Sequence, residues 1–344
     1  MPRPAFPKAA ANCRRHHTLF AALALAALLI EAAFGYPSRL FNAIGHPVTW
    51  IGRLIDKLDR RWNRPSLSRE TRIGFGCILT ISLIVTSLAA GVILHRLAGD
   101  GLPPLPTVLI LGLFASSLLA QRSLHDHVAA VRDSLKDNRS DLDGARLALS
   151  KIVGRDTAQL SESEISRAAV ESLAENFSDG VVAPAFCLVV GGLPGGLVYK
   201  AINTADSMVG HRNKRYEAYG KAVARLDDLL NLPASRLSAL LILVAAAFTK
   251  GADTRGAWRA IIADARHHTS PNAGWPEAAM GGALGIALAG PRVYDGKTVD
   301  AAIMNKKGRR NATAEDIDRA LRLYRNADIL LIAIVAALTL SLVV

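Results

Sequence analysis

Residues 73–97 carry a single full charge, Arg96, over 25 positions, and that stretch decides what the rest of the chain can be. A hydrocarbon core is crossed by roughly 20 apolar helical residues, with about 17 to 25 tolerated. Further apolar runs lie at 19–35, 105–120, 181–199, 237–249 and 328–344. The run at 237–249 reads as too short to span alone. The first follows Arg14, Arg15, His16 and His17 in the manner of a signal peptide, yet no small-residue cleavage site comes after it, so it reads as a retained segment. The expected fold is all-α: a polytopic integral membrane protein with four to six hydrophobic helices, one of them broken or re-entrant, and amphipathic helices facing the cytoplasm.

Loop charge supplies an orientation, because lysine and arginine are retained on the cytoplasmic side. Arg39, Arg53, Lys57, Arg60, Arg61, Arg64, Arg69 and Arg72 precede the second run, whereas 98–106 contains neither residue type. Residues 36–72 are therefore expected inside and 98–106 outside. The organisation expected is a basic tail at 1–18 and one membrane domain over 19–344. Within it, 121–180 and 200–236 are cytoplasmic helical segments, and 250–327 is a region of polar loop and helix.

The run 181–199 contains GGLPGG at 191–196. Glycine and proline inside a helix cost about 1 and 3 kcal/mol, which predicts a break rather than a continuous span. Broken backbone at membrane depth is tolerated only where protein or a polar cavity covers it. The densely charged stretch that follows needs water or an ionic ligand, so 181–199 is expected to enter and leave on one side.

Three polar stretches could carry chemistry. Ser161 and Glu164 form a capping-box pattern that opens a helix on which Glu171 and Glu175 share a face, with Asn176 and Asp179 just beyond. Residues 200–231 gather Lys200, Asn203, Asp206, Ser207, Arg212, Lys214, Arg215, Arg225, Asp227 and Asp228. That mixture suits magnesium and polyphosphate, since Mg²⁺ takes a few carboxylates plus phosphate oxygens and the cations neutralise phosphoryl charge. It equally suits an interfacial segment against anionic headgroups. The third stretch, HHTSPNAGWPE at 267–277, is a shaped loop presenting Asn272, Trp275 and Glu277; its adjacent histidines point apart and make a poor metal site. No Walker A pattern is present, because GGLPGG lacks the following lysine and hydroxyl residue. The three cysteines are widely separated and read as packing residues. The formal charge of +12 attracts anions of any kind, whether nucleic acid, lipid or phosphorylated substrate.

Ordered blocks add a sharper reading: SKIVGRDTAQL (150–160), RAAVESLAENFSDGVVAPAF (167–186), GGLPGGLVYKAINTADSMVGHRNKRYEAYGKAVARLDD (191–228), SPNAGWPEAAMGGALG (270–285) and HPVTWIG (46–52). Together they resemble the CobD/CbiB family, the adenosylcobinamide-phosphate synthases of the bacterial inner membrane. The resemblance implies a multi-pass inner-membrane enzyme with its active site facing the cytoplasm. It implies an ATP-dependent acid–amine ligase that joins aminopropanol or its phosphate to a propionate of the corrinoid adenosylcobyric acid. ATP and Mg²⁺ are the implied co-substrate and metal. Membrane lipid is an expected partner, a homodimer and other cobalamin-pathway enzymes are compatible ones, and nucleic acid is not expected.

Under this reading Glu175, Asp179, Asp206, Asp227 and Asp228 form the Mg²⁺ pool. Lys200, Arg212, Arg215 and Arg225 neutralise phosphate, and Asn176, Asn203, Ser207, Asn272 and Trp275 shape the substrate pocket. Glu277 or Glu171 takes the amine proton. The chain departs from the family pattern at Gly35-Tyr36-Pro37, where an acidic turn is usual, at His211 and at Lys214. Competing readings are an AmpE-like membrane sensor and a corrinoid-binding scaffold without catalysis.

Overall fold

The computed structural model describes residues 6–99, 102–137, 142–290, 292–294, 297–299 and 302–343. In chain order the helices are α1 (Phe6–Phe34), α2 (Ser38–Ile44), α3 (Pro47–Trp62), α4 (Arg69–Gly99), α5 (Pro104–Ser116), α6 (Gln121–Asp137), α7 (Asp143–Ser150) and α8 (Glu162–Phe177). A π-helical turn, Ser178–Val182, leads into α9 (Ala183–Val209), followed by α10 (Lys221–Phe248), α11 (Thr254–Asp264), α12 (Gly274–Leu284) and α13 (Ala314–Val343). Strand content among the described residues is confined to two antiparallel ladders, β1 (Leu288–Ala289) with β4 (Ile303–Met304) and β2 (Arg292–Tyr294) with β3 (Lys297–Val299). Among the described residues, six helical segments are long and apolar enough to cross a membrane. The 237–249 run is one that sequence length undervalued: it is the apolar end of the 28-residue α10.

The chain forms two compact units: Met1–Ala120 with Ala183–Leu230 and Ile332–Val344, and Gln121–Val182 with Asn231–Leu331. In the first, α9 is the central element, packed against α1, α3, α4 and α5. The expected break is present. Gly192 takes φ 60° and ψ −156°, a conformation no helix contains and one that glycine alone adopts without penalty. In a continuous helix Cys187 and Gly195 would stand about 12 Å apart along the axis. Here a Cβ added at Gly195 would lie 2.6 Å from the Cys187 carbonyl oxygen, and one at Gly196 would lie 2.6 Å from a Leu188 methyl. The chain therefore turns back on itself at Gly192. Protein covers the turn: a Cβ at Gly192 would meet the Phe20 ring of α1 at 2.6 Å, and one at Gly91 of α4 would meet the Pro194 backbone at 2.5 Å.

Beyond the turn, α9 buries Ile202, Ala205 and Val209 with Ile55 of α3, Leu79 of α4 and Val223 of α10. A polar clamp fixes the loop between α9 and α10. The buried Asp59 carboxylate accepts from Arg215 Nη2 at 2.6 Å and from Asn63 Nδ2 at 2.8 Å. Asn63 Oδ1 in turn accepts from Arg72 Nε at 2.7 Å, while Arg72 Nη2 donates to the Arg215 carbonyl. Pairing with Asp59 makes the Arg215 guanidinium hold its proton more firmly, and burial raises the Tyr216 phenol. His46 caps α3, its Nδ1 accepting from Val48 N at 3.2 Å, and stacks edge-on with Tyr36, whose hydroxyl donates to Gly45 O at 2.8 Å.

In the second unit α12 is the core, with every residue from Gly274 to Leu284 buried except Trp275, and α8 and α11 pack on it. Small residues bring the backbones together: a Cβ at Gly282 would lie 2.5 Å from the Gly256 carbonyl oxygen. The start of α13 is pinned by Asp316, which accepts both Nη2 contacts of Arg309 at 2.8 and 3.0 Å and caps Thr313 N at 3.0 Å.

Two outcomes follow. Gly192→Ala should lose more than about 1 kcal/mol, because a left-handed L-residue is strained and Phe20 must move, whereas Gly191→Ala, whose added Cβ meets nothing within 4 Å, should be close to neutral. Thermal unfolding in detergent separates the two. Burial, and secondarily the Lys200 charge, depress the His46 pKa below the ordinary histidine value. The stability this contributes is present above that ordinary value and is lost as pH falls through the folded one. The unfolding temperature should therefore drop between about pH 7 and pH 5, and drop less in His46→Asn, which keeps a capping side chain. Parallel pH profiles for the two proteins would contradict the assignment.

Candidate functional site

The residues that sequence chemistry selects divide between the units. In the first unit, Lys200, Asn203, Asp206 and Ser207 ride the returning arm of α9, one turn apart, so the fold-back at Gly192 is what presents them. The arm ends at Gly210, where an added Cβ would collide with the Asp206 carboxylate, so this acid lies directly against bare backbone. The loop then crosses itself: a side chain at Gly220 would strike the Val209 carbonyl, and one at Gly76 the Tyr219 carbonyl. These contacts fold 210–220 tightly and start α10 beside the end of α9.

Asn203 and Asp227 are joined by that geometry, with Asn203 Nδ2 donating to Asp227 Oδ1 at 3.3 Å. Asp227 is buried, and Asp228 is half-buried with Arg212 and Arg225 near enough to act on its charge. Of the predicted set, Arg215 is the member drawn elsewhere: its side chain serves Asp59 and lies over the Tyr216 ring at 5.2 Å. Lys200 is half-buried on the returning arm of α9. Tyr36, where an acid is usual in the family pattern, holds the turn before His46 instead.

In the second unit the SESE capping box forms as expected, Glu164 Oε2 accepting from Ser161 N at 2.9 Å. Glu171 is buried and engaged: Arg155 Nη2 donates to it at 3.2 Å and Ala289 N at 2.7 Å. Ser172 Oγ donates to Ile152 O at 2.8 Å, so the 150–155 loop is fastened to α8 twice. A small cavity between them is lined by Gly154, Arg155, Glu171, Ser172 and Glu175. Glu175 and Asn176 are exposed, Asn176 returning its amide to Ser172 O at 2.9 Å, and Asp179 is half-buried within the π-helical turn. Such turns replace one regular hydrogen-bond register and recur at functional sites.

The loop before α12 is also built from local bonds. His268 Nδ1 accepts from Ser270 N at 3.0 Å, which leaves Nε2 facing the buried Glu277 carboxylate at 3.8 Å. Ser270 Oγ accepts from both Asn272 N and Ala273 N at 3.2 Å. Asn272 is buried, and its Oδ1 accepts from Arg236 Nη1 at 2.9 Å and Ser235 Oγ at 3.1 Å. Sequence reasoning missed Arg236, whose partner lies 36 positions away in the chain. It also missed Asp59, Asn63 and Arg72; HPVTWIG marked the helix that carries Asp59 but not the pairing of these residues. Among the described residues no three histidine, cysteine, aspartate or glutamate side chains converge as a metal site.

The family model described as CobD/Cbib protein matches residues 24–324. A cobalamin biosynthesis protein CobD from Brucella suis biovar 1 is 45% identical over 317 residues, covering 91% of this chain and 95% of that protein. Proteins of the same description from Rhodobacter capsulatus and Rhizobium meliloti are each 47% identical, over 309 and 299 residues; these cover 90% and 87% of this chain, and 94% and 90% of the relatives. No solved structure matches the chain. The chain belongs to the CobD/CbiB family of cobalamin biosynthesis proteins.

Proposed function

We propose that the protein is an ATP-dependent ligase that joins aminopropanol, or its phosphate, to the free propionate of adenosylcobyric acid, at a site facing the cytoplasm of a bacterial inner membrane. One observation carries the reading beyond family membership: the returning arm of α9 and the start of α10 join Asn203 to Asp227, and the next residue, Asp228, is half-buried with the charges of Arg212 and Arg225 acting on it. Carboxylates interleaved with guanidinium groups suit a polyphosphate and its metal better than a neutral ligand.

A carboxylate is a poor electrophile, so amide formation needs activation, and transfer of the ATP γ-phosphoryl to the propionate gives an acyl phosphate that the amine attacks. The protein's task is alignment and charge neutralisation. Lys200, Arg212 and Arg225 are assigned to the phosphates, with Arg215 holding the loop that carries Arg212. The donor set suits a Mg²⁺ that arrives with nucleotide, since that ion takes one or two carboxylates plus phosphate oxygens. One or two of Asp206, Asp227 and Asp228 would hold it, and its role would be to offset phosphate charge. Asn203 orients Asp227, and Ser207 lies exposed on the same arm.

In the second unit Glu175, Asp179, Asn176, Asn272 and Trp275 are assigned to substrate contact within that unit. Glu277 beside His268, or Glu171, is assigned to the amine proton.

Purified protein given adenosylcobyric acid, amine, ATP and Mg²⁺ should release phosphate in step with amide product. Asp228→Asn should lower kcat by about 100-fold or more while leaving the unfolding temperature nearly unchanged, as expected for a charge used in the transition state. Corrinoid binding without phosphate release, at saturating substrates, would instead identify a binding protein.

A further inference from the structure

We propose that the second unit holds a phosphate-binding pocket built on Arg236 and Arg266, neither of which belongs to the site assigned above. The cavity measures about 450 Å³ and is lined by Arg236, Ala265, Arg266, Ser270, Pro271 and Trp275. Gly274 makes it possible, because a Cβ there would lie 2.5 Å from that of His268 and would also strike the Ala265 carbonyl. The start of α12 therefore lies against the 265–268 turn that carries Arg266.

Arg236 is immobilised through one nitrogen. The two Nη1 hydrogens are shared among Leu232 O at 3.2 Å, Ser235 Oγ at 2.9 Å and Asn272 Oδ1 at 2.9 Å, and the guanidinium carbon lies 4.6 Å from the Trp275 ring centroid. Among the described residues, nothing accepts from its Nε–H or its two Nη2–H groups. That edge is the fork that binds carboxylate and phosphate oxygens in pairs. Arg266 is exposed and close enough to repel Arg236, and among the described residues neither has a carboxylate partner.

Two like charges held together in a half-buried pocket are unfavourable without an anion, and Arg236 is fixed too firmly to swing away. Ser270 adds a donor: its oxygen already accepts two backbone N–H groups, which leaves the hydroxyl hydrogen to give. A side-chain lining of donors selects a ligand that only accepts, such as a phosphate dianion, and the volume admits part of its carrier.

The phosphate can come from a soluble ester or diphosphate or from a lipid headgroup, since Arg236 directly precedes the apolar run at 237–249. The inference does not depend on ligation, and its readout is binding. In nonionic detergent, pyrophosphate or inorganic phosphate should raise the unfolding temperature of the full chain above that in chloride of equal ionic strength. In a parallel arm, phosphatidylcholine nanodiscs are compared with and without phosphatidylglycerol. Arg266→Ala and Arg236→Lys should each weaken the apparent affinity about tenfold, the second because lysine keeps the charge but loses the fork. Protection by the soluble anions, lost in the variants, identifies a soluble phosphate. Protection by phosphatidylglycerol alone, lost in the same way, identifies the headgroup as its source. Equal protection of all three proteins, or none in either arm, would overturn the proposal, and exposed Arg266 gives a variant whose folding is not at risk.

Discussion

The rest of the first unit depends on how a helix break can exist within an apolar segment. At Gly192 the backbone leaves the helix, and in hydrocarbon the freed N–H and C=O groups would each cost several kcal/mol if left exposed. The fold answers with protein. Phe20 of α1 and Gly91 of α4 close over the turn, and Gly195 and Gly196 let the second arm lie against the first. Because the turn sends the chain back, the charged stretch after it need not cross the membrane. Were α9 continuous, the same residues would carry Lys200 and Asp206 onward from the end of an apolar span. The break thus links a local sequence oddity to the placement of the candidate chemistry.

Much of this was legible in the sequence because the signals are local. GGLPGG cannot continue a helix, and it does not. Ser161 with Glu164 announced a helix start that the structure contains. The density of charge over 200–228 announced a polar segment after the turn. What stayed illegible are relations set by distant partners. Asp59 reads as one more charge on an amphipathic helix until Arg215, 156 positions away, is found on it. The length of α10 was hidden because its polar first half masks a span that begins well before residue 237. The short β ladders after α12 carry no alternating pattern long enough to register.

Acid–base density alone does not separate chemistry from architecture. Glu171 and Asp316 are buried carboxylates whose arginine and backbone partners hold loops to helices. The distinction lies in what surrounds each group. A carboxylate engaged by arginine and backbone donors of neighbouring segments acts as a fastener. Asp228 is half-buried, with the charges of Arg212 and Arg225 acting on it. Trp275 and Arg236 show the converse, a cation held by neutral partners with its binding edge left over.

The fold-back at Gly192 is the claim on which this account stands, and a distance within α9 tests it most directly. Spin labels at Phe186→Cys and Val198→Cys, with Cys13, Cys77 and Cys187 replaced by serine, bracket the turn. A continuous helix would separate the two backbone positions by about 18 Å. Strong dipolar broadening from a separation well below that value is the predicted result; the spacing of a straight helix would contradict it.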